Sequence, residues 1–157
     1  RLFEVKNLLD ELRKIERRYE AVILAGDFNA APDSEIGREL KAQGFSDAWV
    51  EACPSDLGLT FDGVHNVANH LLQERFPSTV VVEDLSFSGE VKSSFQELTK
   101  KFEARPRRID YIWFRSQSGQ LTARAARLIG QPDGEGLAPS DHFGVLADLD
   151  VSGWEKM

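Results

Sequence analysis

The sequence predicts a single α/β (α+β) domain in which helices cover a mixed sheet, and three observations carry that prediction. A helical stripe over residues 3–19 runs with almost no linker into the apolar run Ala21-Val-Ile-Leu-Ala25, the order expected of a layered helix-on-sheet fold. Further strand-like runs recur at residues 109–114, 121–129 and 143–149, bounded by turn-forming residues. A length of 157 residues suits one domain with its own core, removing roughly 68–70% of the unfolded chain's surface from water.

Each element has a local reason. In the first helix Val5, Leu8, Leu9, Leu12, Ile15 and Tyr19 recur at three- and four-residue spacing. The remaining face is Lys, Glu, Asp and Arg, so one stripe packs and the other meets solvent. Residues 21–25 carry no polar alternation and read as a buried strand. Ala31-Pro-Asp33-Ser34 is a turn in which Asp33 or Ser34 can cap a short helix carrying Ile36 and Leu40, with Gly44 closing it. Residues 45–50 are short and apolar with Asp47 inside them, and residues 53–60 form a loop rich in Pro, Ser, Asp and Gly.

Val64, Val67, Ala68, Leu71, Leu72 and Phe76 then trace another helical face, and residues 79–82 are a strand candidate. Ser94-Phe-Gln-Glu97 fits a capping box opening a short helix with Leu98 and Phe102. Of the three later strands, 121–129 has the weakest pattern. Residues 131–139 are a Gly- and Pro-bearing loop that delivers Ser140-Asp141-His142. Trp49, Trp113 and Trp154 read as core or rim residues.

Bulk properties bound the function. A net charge of −7 argues against a broad basic surface that binds nucleic acid without specificity. It leaves open an enzyme that recruits phosphate through a metal ion and a few local cations. Residues 100–108 hold five basic residues and one acid. They read as a solvated loop or helix end, or alternatively as a grip on substrate phosphate. The lone Cys53 forms no intrachain disulfide. No apolar run approaches the ~20 residues of a membrane span and the start has no signal-peptide pattern, so a cytoplasmic or nuclear setting is expected over secretion. Because the chain opens on Arg1 and goes straight into a helix, it is expected to be an excised or processed fragment.

Three segments carry chemistry. Gly26-Asp27-Phe28-Asn29 follows a strand, and residues two apart on a strand share a face, so Asp27 and Asn29 can enter one site. In Arg108-Ile-Asp110-Tyr111-Ile-Trp113, Ile109, Tyr111 and Trp113 share one face while Asp110, Ile112 and Phe114 share the other. A carboxylate among such neighbours needs a partner: a salt bridge to Arg107 or Arg108, or a histidine that it orients. His142, beside Asp141, is the natural histidine. His65 and His70 lack the one-turn spacing of a helical metal pair and read as surface or packing residues.

Taken in order, Gly26-Asp27-Phe28-Asn29, Arg108-Ile-Asp110-Tyr111 and Ser140-Asp141-His142 resemble the endonuclease/exonuclease/phosphatase superfamily. The segment Thr60-Phe-Asp62 with His65-Asn66 resembles the stretch between its first two motifs. The resemblance implies half of a four-layer α/β/β/α sandwich with a mixed, largely antiparallel sheet and covering helices. It implies that Asp27 aligns or deprotonates the attacking water, Asn29 contacts the scissile phosphate, His142 stabilises the phosphoryl oxygens and Asp110 holds its imidazole. Asp141 and Asp27 would adjoin the metal, and Asn29, Thr60, Asp62, Asn66 and Arg108 would bind substrate. Hard oxygen donors suit Mg²⁺ or Mn²⁺, and the lack of clustered Cys and His disfavours zinc.

The implied activity is metal-dependent hydrolysis of phosphodiester or phosphomonoester bonds, nuclease-like, on nucleic acid, lipid or inositol phosphate. Alternatives are a sphingomyelinase or inositol-phosphate phosphatase of the same superfamily, or a non-catalytic binding or scaffold module. One departure stands out. The family's early Asn and principal metal-binding Glu have no counterpart before Asp27, where Glu4, Glu11, Glu16 and Glu20 lie on or beside a surface helix. Residues 1–157 are therefore expected to be the C-terminal portion of one such domain, with the N-terminal half absent and the isolated chain weak or inactive. A sheet face left uncovered would take that missing half, or a second copy in a homodimer.

Overall fold

The computed structural model describes residues 1–62, 65–66, 106–132 and 138–151. The chain divides into two compact units, one of Arg1–Gly58, Arg108–Ile129 and Gly144–Met157, the other of Leu59–Arg107 and Gly130–Phe143. The first holds helix α1 (Leu2–Ile15), a short 3-10 turn (Glu16–Arg18), strand β1 (Ala21–Asp27), α2 (Glu35–Ala42), β2 (Ser46–Asp47), α3 (Ala48–Ala52), β3 (Asp110–Ser116), β4 (Leu121–Ile129) and β5 (Gly144–Val151). Among the described residues no helix is long and apolar enough to cross a membrane. The predicted helix over 64–76, the strand 79–82, the helix after Ser94, His70 and Trp154 lie outside the described residues, save His65 and Asn66, which sit in a turn and an irregular stretch.

β3 is the middle strand of a three-stranded antiparallel sheet ordered β1-β3-β2, and β4 pairs with β5 in a second, antiparallel pair. Every strand pairing among the described residues is antiparallel. The alternation read in β3 decides its packing. Tyr111 and Trp113 join Val5, Leu9, Ile36, Leu40 and Phe45 in a core that α1 and α2 close over one face. Phe114 joins Ala48, Leu121 and Ala123 in a second cluster on the other face.

α1 buries Val5 and Leu9, with Leu2 and Leu12 packed beside them, whereas Leu8, Ile15 and Tyr19 are exposed. The packed stripe is thus narrower than predicted, and Tyr19 lies beyond the helix in extended backbone after the 3-10 turn. β1 also departs from its prediction. Val22 and Leu24 face the helices, but on the opposite face, where Ala21 packs against the second cluster, Ile23 is 53% exposed.

Of the two candidate caps, Ser34 is the one used: its hydroxyl accepts from the Gly37 N–H at 3.2 Å. Gly44 adopts a positive φ of 81° and ends α2, letting the Phe45 N–H donate back to the Leu40 carbonyl at 3.1 Å. Gly37 sits inside α2 for a steric reason. A Cβ there would lie 2.2 Å from the Pro32 carbonyl oxygen. Alanine is better than glycine in a helix by about 1 kcal/mol, yet Gly37→Ala is expected to destabilise the protein by about 1–3 kcal/mol through this clash. A urea midpoint equal to or above the parent's would show that the 32–34 turn yields.

Candidate active site

The first unit brings Asp27, Asn29 and Asp110 together. Asp27 is the last residue of β1 and Asp110 the first of β3, and the register sets them directly opposite one another. Carboxylate oxygens of the two lie within 4.8 Å of each other. Asn29 is beyond the strand, so strand alternation is not what aims it. Its backbone takes a φ of 50°, a conformation that asparagine tolerates better than most residues. The Asp27 carboxylate then accepts from both the Asn29 N–H, at 2.7 Å, and the Asn29 side-chain amide, at 2.9 Å. The carboxamide is thereby tethered to the acid.

The loop that carries Asn29 is fixed by β3. The Phe28 N–H donates to the Ile109 carbonyl at 2.9 Å, which continues the β1–β3 ladder past Asp27. The Tyr111 hydroxyl lies 2.7 Å from the Ala30 carbonyl and 2.8 Å from that of Arg108, and its ring meets the edge of Phe28 with centroids 5.7 Å apart. Burial pushes the Tyr111 phenol far above its ordinary range, with the Arg108 guanidinium only partly opposing that rise. The hydroxyl therefore stays protonated as a donor to the loop. Arg1 adds a bond from its guanidinium to the Asn29 carbonyl at 2.7 Å.

The acids of α1 and its C-terminal end are occupied elsewhere. Glu11 pairs with Lys14 and Glu16 with Arg115. Hydrogen bonds from Ser118 hold the Glu20 carboxyl below its usual range.

Arg108 forms a buried ion pair. It is 5% exposed, and its guanidinium donates to both carboxylate oxygens of Asp47 at 2.8 and 2.7 Å, while lying over the Tyr111 ring. Its salt-bridge partner is therefore Asp47 and not Asp110. Asp47, itself 5% exposed, also accepts from the Trp49 and Val50 N–H groups as the cap of α3.

In the second unit the segments Thr60-Phe61-Asp62 and Ser140-Asp141-His142 are built into one another. The Phe143 N–H donates to the Thr60 carbonyl at 2.7 Å, and the Asn66 carboxamide donates to the Ser140 carbonyl at 2.9 Å. Thr60, Asp62 and Asn66 are all buried. Through these bonds Thr60 and Asn66 tie the two segments together. The His142 N–H donates to the Ser140 hydroxyl at 3.2 Å, and that hydroxyl lies 3.3 Å from the Asp141 carboxylate.

Two partners escape a reading of the sequence. The Phe61 ring meets His142 edge-to-face with centroids 5.1 Å apart. His65 has a largely exposed side chain, but its Nδ1 is 2.6 Å from the Asp62 carboxylate. The spacing of residues 62 and 65 is the one available signal for that pair.

The chain matches the model of a family described as the Endonuclease/Exonuclease/phosphatase family over residues 3–142. No match is found among curated protein sequences. Among solved structures it is similar to an endonuclease/exonuclease/phosphatase from Bacteroides vulgatus (TM-score 0.54, 19% identity, 94% of this chain and 42% of that one). It is also similar to TDP2 of D. rerio complexed with a single-strand DNA product (TM-score 0.54, 21% identity, 93% and 49%). Truncated TDP2 of Caenorhabditis elegans matches as well (TM-score 0.51, 18% identity, 92% and 45%). This chain therefore spans less than half the length of these three solved structures.

Proposed function

The chain belongs to the endonuclease/exonuclease/phosphatase family, and on that premise we propose that it supplies the C-terminal portion of a divalent-metal-dependent phosphodiester hydrolase acting on nucleic acid. The observation that carries the proposal is the meeting of Asp27 and Asp110 across the ends of β1 and β3, with the Asn29 carboxamide tethered to Asp27. Two carboxylates this close repel by about 1 kcal/mol in water and by more where water is excluded. A hard cation between or beside them turns that cost into binding.

Hard carboxylate oxygens suit Mg²⁺ or Mn²⁺: Asp27, together with Asp141 by family resemblance, would hold it. When bound, the ion would neutralise charge on the phosphoryl group and on the departing oxygen. The protein's own groups do the rest. Asp27 orients the attacking water and takes its proton. Asn29 spends one amide hydrogen on Asp27 and keeps the other for a phosphoryl oxygen. His142 donates to the oxygen on which charge grows, and Asp110 is assigned to orient the imidazole. Ile23, uncovered on its sheet face, supports docking of a further portion of the domain there, or of a second copy.

The DNA product held by the D. rerio structure favours nucleic acid over sphingomyelin or an inositol phosphate. The test is hydrolysis of single-stranded DNA, RNA, sphingomyelin, inositol phosphates and bis-p-nitrophenyl phosphate by the complete protein with and without Mg²⁺. Metal-dependent cleavage of nucleic acid is expected, lost on chelation. Folded protein with no turnover, and His142→Ala indistinguishable from the parent, would leave a scaffold module instead.

A further inference from the structure

Phe61 lies between two charged or chargeable groups of its own unit. Its ring meets the His142 imidazole at 70° with centroids 5.1 Å apart, and the Arg107 guanidinium carbon sits 4.7 Å from the same ring centroid. The ring is not free to drift. The Phe61 N–H donates to the Arg107 carbonyl at 2.9 Å and the Arg107 N–H returns a bond to the Phe61 carbonyl at 2.8 Å. On either side of Phe61 in sequence, Thr60 accepts from the Phe143 N–H and Asp62 receives the Asn66 N–H at its carbonyl. The backbone is thus pinned at three consecutive residues, and the ring it carries is flanked by His142 and Arg107.

We propose that Phe61 is a positioning residue for His142, setting the plane of the imidazole through edge-to-face contact, with Arg107 stacked on the phenyl ring to hold it in place. The proposal rests on the reading of His142 as a catalytic group. An imidazole has two soft side-chain torsions, and a hydrogen bond to one ring nitrogen leaves rotation about that bond open. Aromatic contact supplies the missing restraint, because rings of this kind favour a limited set of relative orientations. Reaction rate is sensitive to such restraint: small misplacements of a group that must meet a reacting atom cost rate far more than they cost binding. The phenyl ring itself transfers no proton and needs no contact with substrate.

The test joins a spectroscopic arm to a kinetic one in the complete protein. The carbon-bound proton signals of the His142 ring, assigned by their loss in His142→Ala, are followed by NMR in Phe61→Leu. They are expected to move as the phenyl ring current disappears. In the same variant kcat is expected to fall about 2- to 10-fold, the strength of one aromatic pair, with KM little changed and Phe61→Tyr restoring the rate. In a His142→Ala background Phe61→Leu is expected to cost nothing further. If Phe61→Leu fails to fold, Phe61→Met keeps the bulk and removes the ring current.

Unmoved His142 signals overturn the proposal, as does an unchanged kcat, or an equal loss with and without His142. A parent that cleaves no phosphate ester would sink the proposed function instead. The NMR arm would then still decide whether Phe61 holds the imidazole.

Discussion

Asp27→Asn is expected to lower kcat by about 10²–10⁴-fold, the range for a group that handles a proton in the reaction, without unfolding the protein. The loss has two sources. A carboxamide cannot take the proton of the attacking water. It also offers a single acceptor oxygen where Asn29 presents two donors, its N–H and its side-chain amide. One of those donors would then face an NH₂ group, and the carboxamide at 29 would swing away from its present position.

Stability should move little. Losing a hydrogen bond costs about 1 kcal/mol, and removing one of two facing carboxylates returns about the same amount in water. The variant is therefore expected to unfold within about 1 kcal/mol of the parent without metal, while the parent gains more stability than the variant when Mg²⁺ is added. Thermal unfolding with and without the ion, beside turnover on single-stranded DNA, reads both effects. A variant that retains more than a tenth of parental kcat would remove Asp27 from the chemistry.

The largest effect on stability is expected at Arg108. Arg108→Met leaves the Asp47 carboxylate buried without its cation, and breaking a buried pair from one side costs about 3–5 kcal/mol. Asp47→Leu alone is expected to be comparably damaging, since it strands the guanidinium and also removes the cap from the Trp49 and Val50 N–H groups. The double variant should recover part of the loss, because a pair of apolar residues leaves no buried charge unmatched. Denaturant unfolding of the two single variants and the double decides the matter. A loss below about 1 kcal/mol for Arg108→Met would mean that water reaches the pair. The same variants separate structure from catalysis: Arg108→Met should leave KM unchanged at temperatures where it is folded.

Strand alternation places Tyr111 and Trp113 opposite Ile112 and Phe114, and the cores on the two faces of β3 obey that division. The bounds of β4 match those expected although its pattern is the weakest of the three later strands, and the cap of α2 is narrowed to two adjacent residues. Arg108 defeats a local reading for a physical reason. It stands beside Arg107 in a basic stretch that looks like a surface, and nothing local announces an aspartate 61 positions earlier as its partner. β1 reads as buried on both sides because its sequence is apolar throughout, yet Val22 and Leu24 are covered while Ile23 on the other face is not. Hydrophobic pattern reports which surfaces benefit from burial, and not which neighbour provides it.

What this sequence determined by itself was the family, through acids, an amide and an imidazole placed at or beside strand ends in a marked order. It also determined the local elements, since periodicity and capping act over a few residues. Tertiary structure alone decided which groups face each other. The β1–β3 register set Asp27 against Asp110, Asp47 claimed Arg108, and Phe61 met the His142 ring. Such pairings depend on distances closed by the packing of remote segments, and no short-range pattern encodes a partner dozens of residues away.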